Sequence, residues 1–354
     1  MSRGYLVIKD GPVFEGLWLG GQARAGEVVF NTSHQGYEEI ATDPSYFGQI
    51  MTMTSSQQGN YGVSDQVWES SQLHIQGFLT LDMQRSQRDS SWLKRLTEAG
   101  VPVMTEVDTR RLVLYLREQG TSLGALLPAD SEEIAKSEAK KLFAEFEDIE
   151  PDWVHRVSRK QKSVVAGDDP EGPRVAVLDF GSKENILREL KKRCRELVIF
   201  PSRSSADDIL AEKPDRVMLT NGPGDPSKVE VAPDTVKALI GKVPIFGICM
   251  GHQILALACG AKTKPLKYGH RGSNHPIKDE ILDRVYMTSQ NHGYVVDRDS
   301  IPEGIKVTHV NLNDSSVAGF YDANRRLLSV QYHPESHPGP HEAEGLFDYF
   351  IERL

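Results

Sequence analysis

The chain has 354 residues, enough for two domains with separate cores, and carries a formal net charge of −9. That balance, with no long basic run, argues against nucleic-acid binding. No apolar stretch reaches bilayer length, no signal-type apolar core follows Met1-Ser2-Arg3-Gly4-Tyr5, and Cys194, Cys249 and Cys259 show no paired spacing, so a cytoplasmic protein without membrane contact is expected.

Residues 1–150 read as a β-rich α+β domain. Strands at 5–9 and 13–19 flank Asp10-Gly11, a strong hairpin signal, and further strands are predicted at 27–31, 49–54 and 73–81. Asp108 or Thr109 caps a helix with Leu112, Tyr115 and Leu116 on one side. A second helix is predicted over 131–146, with Ile134, Leu142, Phe143 and Phe146 as its apolar stripe. The polar, Gly/Pro-rich stretch 151–173, including Arg159-Lys160-Gln161-Lys162, reads as a linker and a solvated connector.

From residue 174 to 354 strands and helices alternate. Strands at 174–180, 196–200, 216–220 and 243–248 are separated by helices at 183–193, 206–212 and 235–240. Four more strands, around 284–289, 306–309, 317–320 and 327–331, precede a terminal helix at 342–353. The expected fold is α/β, a doubly wound, mostly parallel sheet with helices on both faces.

The most telling segment is Gly247-Ile248-Cys249-Met250-Gly251-His252-Gln253, where a β-rich run turns at once into a helical pattern. So tight a strand-to-helix turn lifts its central side chain out of the sheet, and glycines two residues to either side avoid collisions. A cysteine at a helix N-terminus also sits in a potential that favours thiolate. The same string fits a buried structural cysteine at a strand end, so a base and an oxyanion site must be found elsewhere. His333-Pro334-Glu335 follows a strand-like run and supplies an imidazole with a carboxylate to fix its tautomer, although alone it also reads as a turn. Asn221-Gly222-Pro223-Gly224-Asp225-Pro226 follows another strand. It is either an ordinary turn or a loop whose backbone N–H groups approach a ligand at the sheet's carboxyl edge.

Together the strings GICMGHQ, NGPGDP and HPE resemble the triad-type glutamine amidotransferases. Phe30-Asn31-Thr32-Ser33, Gly36-Tyr37, Thr42-Asp43-Pro44-Ser45-Tyr46, Val107-Asp108-Thr109-Arg110, Ser289-Gln290-Asn291-His292-Gly293 and the run 333–341 narrow the resemblance to the carbamoyl-phosphate synthase small-subunit family. It extends from about Tyr5 to the end of the chain.

The resemblance implies a glutaminase. Cys249 would attack the side-chain amide of L-glutamine, His333 would move the protons and Glu335 would orient His333. The oxyanion would be held by the N–H of Met250 and of a glycine in the 222–224 loop. The family's glutamine-binding positions carry over to Ser45, Gly222, Gly224, Met250, Gln253, Asn291, Gly293 and Tyr294. Met250 and Tyr294 stand where leucine and phenylalanine are commoner. From the residues alone, Ser45 reads equally well as a turn serine after Asp-Pro.

No Gly-x-x-x-x-Gly-Lys phosphate loop occurs, and no cofactor is expected in this chain. By resemblance, ATP and Mg are used by a partner, the large subunit of carbamoyl-phosphate synthase. That subunit would receive ammonia and form much of its contact with residues 1–150. His333, His337 and His341 share a spacing of four, yet Pro334, Pro338 and Pro340 forbid the helix that would align them on a metal. His252 and His292 read as packing residues, and Cys259 as a buried, inert thiol. Another glutamine amidotransferase is disfavoured by the leading 150 residues, and a silent scaffold by the presence of all three triad residues.

Overall fold

The computed structural model describes residues 2–354 and separates into two compact units that meet in sequence between Glu150 and Pro151. The N-terminal unit contains nine strands, β1 (Ser2–Ile8), β2 (Val13–Gly20), β3 (Arg24–Asn31), β4 (Gln49–Met53), β5 (Gln57–Gln58), β6 (Gly77–Leu79), β7 (Asp82–Met83), β8 (Val103–Thr105) and β9 (Ser122–Pro128). Its helices are α1 (Tyr37–Thr42), α2 (Trp92–Glu98), α3 (Thr109–Gln119) and α4 (Glu132–Glu147). Seven strands close a barrel in the order β1-β2-β8-β6-β4-β3-β9, and β5 pairs with β7 outside it.

Strand alternation explains why this barrel is apolar on both faces. Leu6, Ile8, Val28, Ile50, Leu79, Met104 and Leu126 belong to one core cluster. Their strand neighbours Val29, Met51, Phe78 and Val103 pack with Tyr37 and Ile40 of α1 and with Trp92 and Leu96 of α2. Tyr5, Val7, Ala125 and Leu127 pack instead against α4.

On α4 the buried residues are Ala135, Ala139 and Phe143, at i, i+4 and i+8, whereas Ile134 is exposed. The stripe expected through Ile134 is therefore displaced by one residue. Small alanines let the helix approach β1 and β9 closely, so they form its buried face despite weak hydrophobicity. Leu142 and Phe146 pack at the margin of that contact.

The C-terminal unit begins inside the stretch expected as a connector. Residues 151–173 carry α5 (Trp153–Val157), capped by Asp152 accepting from His155 N–H at 3.0 Å, and the strand β10 (Ser163–Ala166). A four-residue strand at an open sheet edge needs no apolar face, and Val164 and Val165 are exposed, which is why the segment reads as polar linker.

Next come β11 (Arg174–Asp179), α6 (Glu184–Lys191), β12 (Glu196–Pro201), α7 (Ala206–Ala211), β13 (Arg216–Leu219), α8 (Ala232–Leu239), β14 (Ile245–Ile248) and α9 (Met250–Ala258). The chain ends with β15 (Thr263–Asp279), β16 (Arg284–Val296), β17 (Lys306–Asn311), β18 (Val317–Asp322), β19 (Leu327–Val330) and α10 (Gly345–Arg353).

The ten-stranded sheet runs β10-β12-β11-β13-β14-β19-β18-β17-β15-β16. Its five-strand centre, β12 to β19, is parallel, and antiparallel strands extend it at both edges. Helices cover both faces. Ala176 and Leu178 of β11 pack with α8 and α9, while Val175 and Val177 pack with α6 and α10. No helix among the described residues is long and apolar enough to cross a membrane.

Candidate active site

The carboxyl ends of three adjacent parallel strands, β13, β14 and β19, converge on one rim of the C-terminal sheet. They lead respectively into the Asn221–Gly224 loop, Cys249 and the segment Gln331–Glu335.

Cys249 is the single residue between β14 and α9 and has φ 54° and ψ −101°, a conformation that costs a non-glycine residue about 1–3 kcal/mol. The surrounding glycines make that turn feasible. A Cβ on Gly251 would lie 2.2 Å from the Leu219 carbonyl oxygen, and one on Gly247 would lie 2.6 Å from the Gly251 oxygen. The turn is tied to its neighbours by Cys249 N–H donating to Val330 O at 2.8 Å and Gly251 N–H donating to Thr220 O at 2.9 Å. Met250 opens α9, so its N–H has no intrahelical carbonyl to meet.

The Cys249 thiol is buried and donates to the Asn291 carbonyl at 3.5 Å. His333 and Glu335 are buried beside it, with His333 Nδ1 2.7 Å from Glu335 Oε1. A donated Nδ1–H leaves Nε2 as the proton-accepting nitrogen, and Nε2 has no completed hydrogen bond among the described residues. Burial alone would push the imidazole down, yet the Glu335 carboxylate and the nearby Cys249 sulfur hold it up at about 10, so Nε2 retains a proton taken from the thiol. Burial opposes ionisation of Glu335 too, but Lys183 first and His333 second bring that carboxyl down to about 2.

Gly222 lies where a Cβ would be 2.3 Å from the Phe180 carbonyl oxygen, so only glycine permits this approach of two loops. Gly224 packs next to Trp153 of α5. Gln253 projects from the first turn of α9 and donates from Nε2 to Tyr294 O at 2.8 Å and to Gln331 Oε1 at 3.1 Å. Asn291, Gly293 and Tyr294 lie close together along β16, which also pairs locally with this rim through Ser289 and His333. Ser45 belongs to the N-terminal unit, where it is buried in a short 3₁₀ turn and its N–H donates to Asp43 Oδ1 at 2.8 Å.

Two buried residues of this rim, Lys183 and Gln331, were given no site role from the sequence, and Asn221 entered only as the head of the glycine loop. Lys183, just before α6, places its Nζ 3.0 Å from Glu335 Oε1 and donates to the Ser336 carbonyl. Asn221 accepts from Lys183 N–H at 3.0 Å, joining the glycine loop to that lysine. Gln331 lies between Gln253 and the Cys249 sulfur. The only local signals were a lysine at a helix start and a glutamine at a strand end, neither unusual.

Residues 176–353 match the family Glutamine amidotransferase class-I, and residues 6–126 match the carbamoyl-phosphate synthase small chain, CPSase domain. The chain is 43% identical to the carbamoyl phosphate synthase small chain of Bacillus caldolyticus, over 98% of this chain and 95% of that one. Identity to the small chain of Symbiobacterium thermophilum is 44%, covering 97% and 96% of the two chains. For the small chain of Listeria monocytogenes serovar 1/2a it is 42%, covering 100% and 97%. The chain belongs to the carbamoyl-phosphate synthase small-chain family. It is the glutaminase subunit of that synthase, with a β-rich CPSase domain ahead of a class-I amidotransferase domain.

Three other histidines weighed from the sequence of the small chain have structural partners. His252 Nδ1 meets Ser329 Oγ at 2.8 Å, and His292 lies between Gln290 Oε1 and Tyr294 O. His341 is exposed and pairs with Glu344. Among the described residues, no group of three or more His, Cys, Asp or Glu side chains could hold a metal ion. Cys259 ends α9 only partly buried, rather than fully as expected, and burial pushes its thiol up to about 11.

Proposed function

We propose that Cys249, His333 and Glu335 are the catalytic residues of this small chain. The observation carrying the proposal is the strained Cys249 elbow on the strand next to the one that ends in the His333–Glu335 pair. His333 Nε2 takes the thiol proton, and the sulfur attacks the side-chain amide carbon of L-glutamine. The oxyanion is received by the N–H of Met250 and of Gly222 or Gly224. His333 then returns the proton to the departing nitrogen, which leaves as ammonia. Water attacks the glutamyl thioester, His333 takes its proton, and glutamate departs as the sulfur leaves. Glu335 holds Nδ1–H throughout.

Gly222, Gly224, Met250, Gln253, Asn291, Gly293 and Tyr294 are the proposed glutamine ligands of the C-terminal unit, supported by the clustering of Gln253, Asn291 and Tyr294 around Cys249. Ser45 is proposed as a further ligand on the strength of the resemblance. The ammonia passes to a large-chain partner that uses ATP and Mg to convert bicarbonate into carbamoyl phosphate. Residues 1–150 would supply much of the contact with that partner. The assembly is proposed to be cytoplasmic and to serve arginine or pyrimidine synthesis.

The test is Cys249→Ser in the chain assembled with a carbamoyl-phosphate synthase large chain. Glutamine-dependent synthesis should vanish while ammonia-dependent synthesis persists. Retained glutamine hydrolysis would remove Cys249 from the mechanism.

A further inference from the structure

A buried carboxamide points its donor end at the proposed nucleophile, and no part of the mechanism above uses it. Gln331 Nε2 lies 3.8 Å from Cys249 Sγ, within reach of a long N–H···S contact, and Gln331 is almost fully buried. Backbone hydrogen bonds flanking a bend fix its aim. The chain bends at Gln331 and Tyr332 just after β19, with Gln331 N–H donating to Ala318 O and His333 N–H to Ser289 O on either side. Both side chains meet Cys249, while the Tyr332 hydroxyl pairs with that of Tyr286 in the core.

The direction of the amide is fixed by its neighbours. The Tyr294 carbonyl can only accept, so the end of Gln253 facing it, 2.8 Å away, must be the NH₂ group. That same NH₂ lies 3.1 Å from the Gln331 side chain, which must present its oxygen there. The Gln331 NH₂ is left on the opposite side, toward sulfur. Flipping either amide would set two donors, or two acceptors, against each other.

We propose that Gln331 is a further catalytic residue of the glutaminase, a hydrogen-bond donor that stabilises the Cys249 sulfur whenever it is anionic. The proposal rests on Cys249 being the nucleophile. The Asn291 carbonyl oxygen lies 3.5 Å from Sγ, and once the thiol proton has passed to His333 an oxygen lone pair faces a negative sulfur. Beside His333, whose Nε2–H faces the sulfur once it has taken the proton, Gln331 supplies a second side-chain N–H drawn to Sγ. A donor helps an anion more than a neutral thiol or thioester. Gln331 therefore assists twice, when the thiol loses its proton and when the thioester C–S bond breaks and sulfur leaves as thiolate. The chain Tyr294 O, Gln253, Gln331, Sγ also links a proposed substrate strand to the reacting atom.

The test measures alkylation of Cys249 by iodoacetamide across a pH series in the full chain, for wild type, Gln331→Met and Gln331→Glu. The rate reports the thiolate fraction. Loss of the donor should move the Gln331→Met profile about one unit toward alkaline pH, a roughly tenfold slower reaction at neutral pH. Gln331→Glu keeps the heavy-atom shape, places a like charge beside sulfur and should move it further. Coinciding profiles overturn the proposal, as does a rise in KM for glutamine with no change in alkylation, because the amide would then serve Gln253 alone. If Gln331→Met packs poorly, an unshifted profile in the isosteric Gln331→Glu variant is equally decisive. Failure of the nucleophile assignment appears separately, as glutamine hydrolysis that survives complete alkylation of Cys249.

Discussion

Lys183 Nζ and Glu335 Oε1 lie 3.0 Å apart with both side chains almost wholly shielded from water, although 152 positions separate 183 from 335 in the chain. An ammonium in that place compensates a carboxylate that burial would otherwise neutralise. Removing one member of such a pair strands the other charge and typically costs about 3–5 kcal/mol. Lys183→Met should destabilise the C-terminal unit by that order in urea unfolding and should depress glutamine hydrolysis by weakening the hold on His333. An unfolding midpoint equal to wild type would show that the pair contributes nothing.

The same groups predict how stability depends on pH. Glu335 has a folded pKa of about 2, below its ordinary 4.5, so its contribution is complete above 4.5 and is lost as pH falls toward 2. His333 has a folded pKa of about 10, above its ordinary 6.5. Its contribution is complete below 6.5 and disappears as pH rises through 10. The two slopes describe one coupled pair and are not to be summed. Urea unfolding of Glu335→Gln across pH should show both slopes flattened relative to wild type, and identical pH profiles would contradict the assignment.

Buried neutral histidines add a separate acid sensitivity. His74, His252 and His275 are held by burial at about 4, about 3 and about 4, below the ordinary 6.5. Unfolded chain gains protons that the folded chain refuses, so stability falls as pH drops from 6.5 toward about 3. His252→Asn should remove part of that slope, measured as unfolding free energy against pH. A slope unaffected by the change would place the titration elsewhere.

The elbow predicts an inverted order of stabilities. In most ordered positions alanine is better tolerated than glycine, by about 0.5–1 kcal/mol. At position 249 the positive φ of 54° reverses this preference. Cys249→Gly should unfold at higher urea than Cys249→Ala, although neither hydrolyses glutamine. The ordinary order would mean that the turn is unstrained.

Crowding beneath the elbow should be unforgiving. A methyl on Gly251 meets the backbone oxygen of Leu219 at 2.2 Å, and neither a rotamer change nor a side-chain shift can relieve that contact. Gly251→Ala should displace the start of α9 and lower the glutaminase rate by about a hundredfold, the effect of misplacing reacting atoms by about an ångström. Ammonia-dependent synthesis in the assembled complex serves as the folding control. Full glutaminase activity in this variant would disprove the packing argument.

The elbow, the glycine loop and the His-Pro-Glu string were legible because each is local, a few residues whose spacing reports a sharp turn at a strand end. Alternation of strands and helices then placed all three on the same sheet edge. Lys183 was not legible, because a lysine before a helix is ordinary and its partner Glu335 is remote in sequence. Gln331 read as the end of an apolar strand for the same reason. In the N-terminal unit five strands were readable but the barrel strands β8 and β9 were not, and closure depends on pairings such as β2 with β8 and β1 with β9, which leave no local trace. The displaced stripe of α4 and the edge strand β10 escaped because small residues and exposed strands carry little hydrophobic signal.

Cys249 N–H bonds to Val330 O, so the strands that end in the proposed nucleophile and the proposed base are neighbours in one ladder. Their separation is inherited from the repeat distance between neighbouring strands, not from the length of chain joining them. Insertions or deletions in the intervening hairpins can accumulate without detuning the reacting groups. Such a scaffold is free to remodel its periphery for new ammonia acceptors while its hydrolytic centre keeps its dimensions.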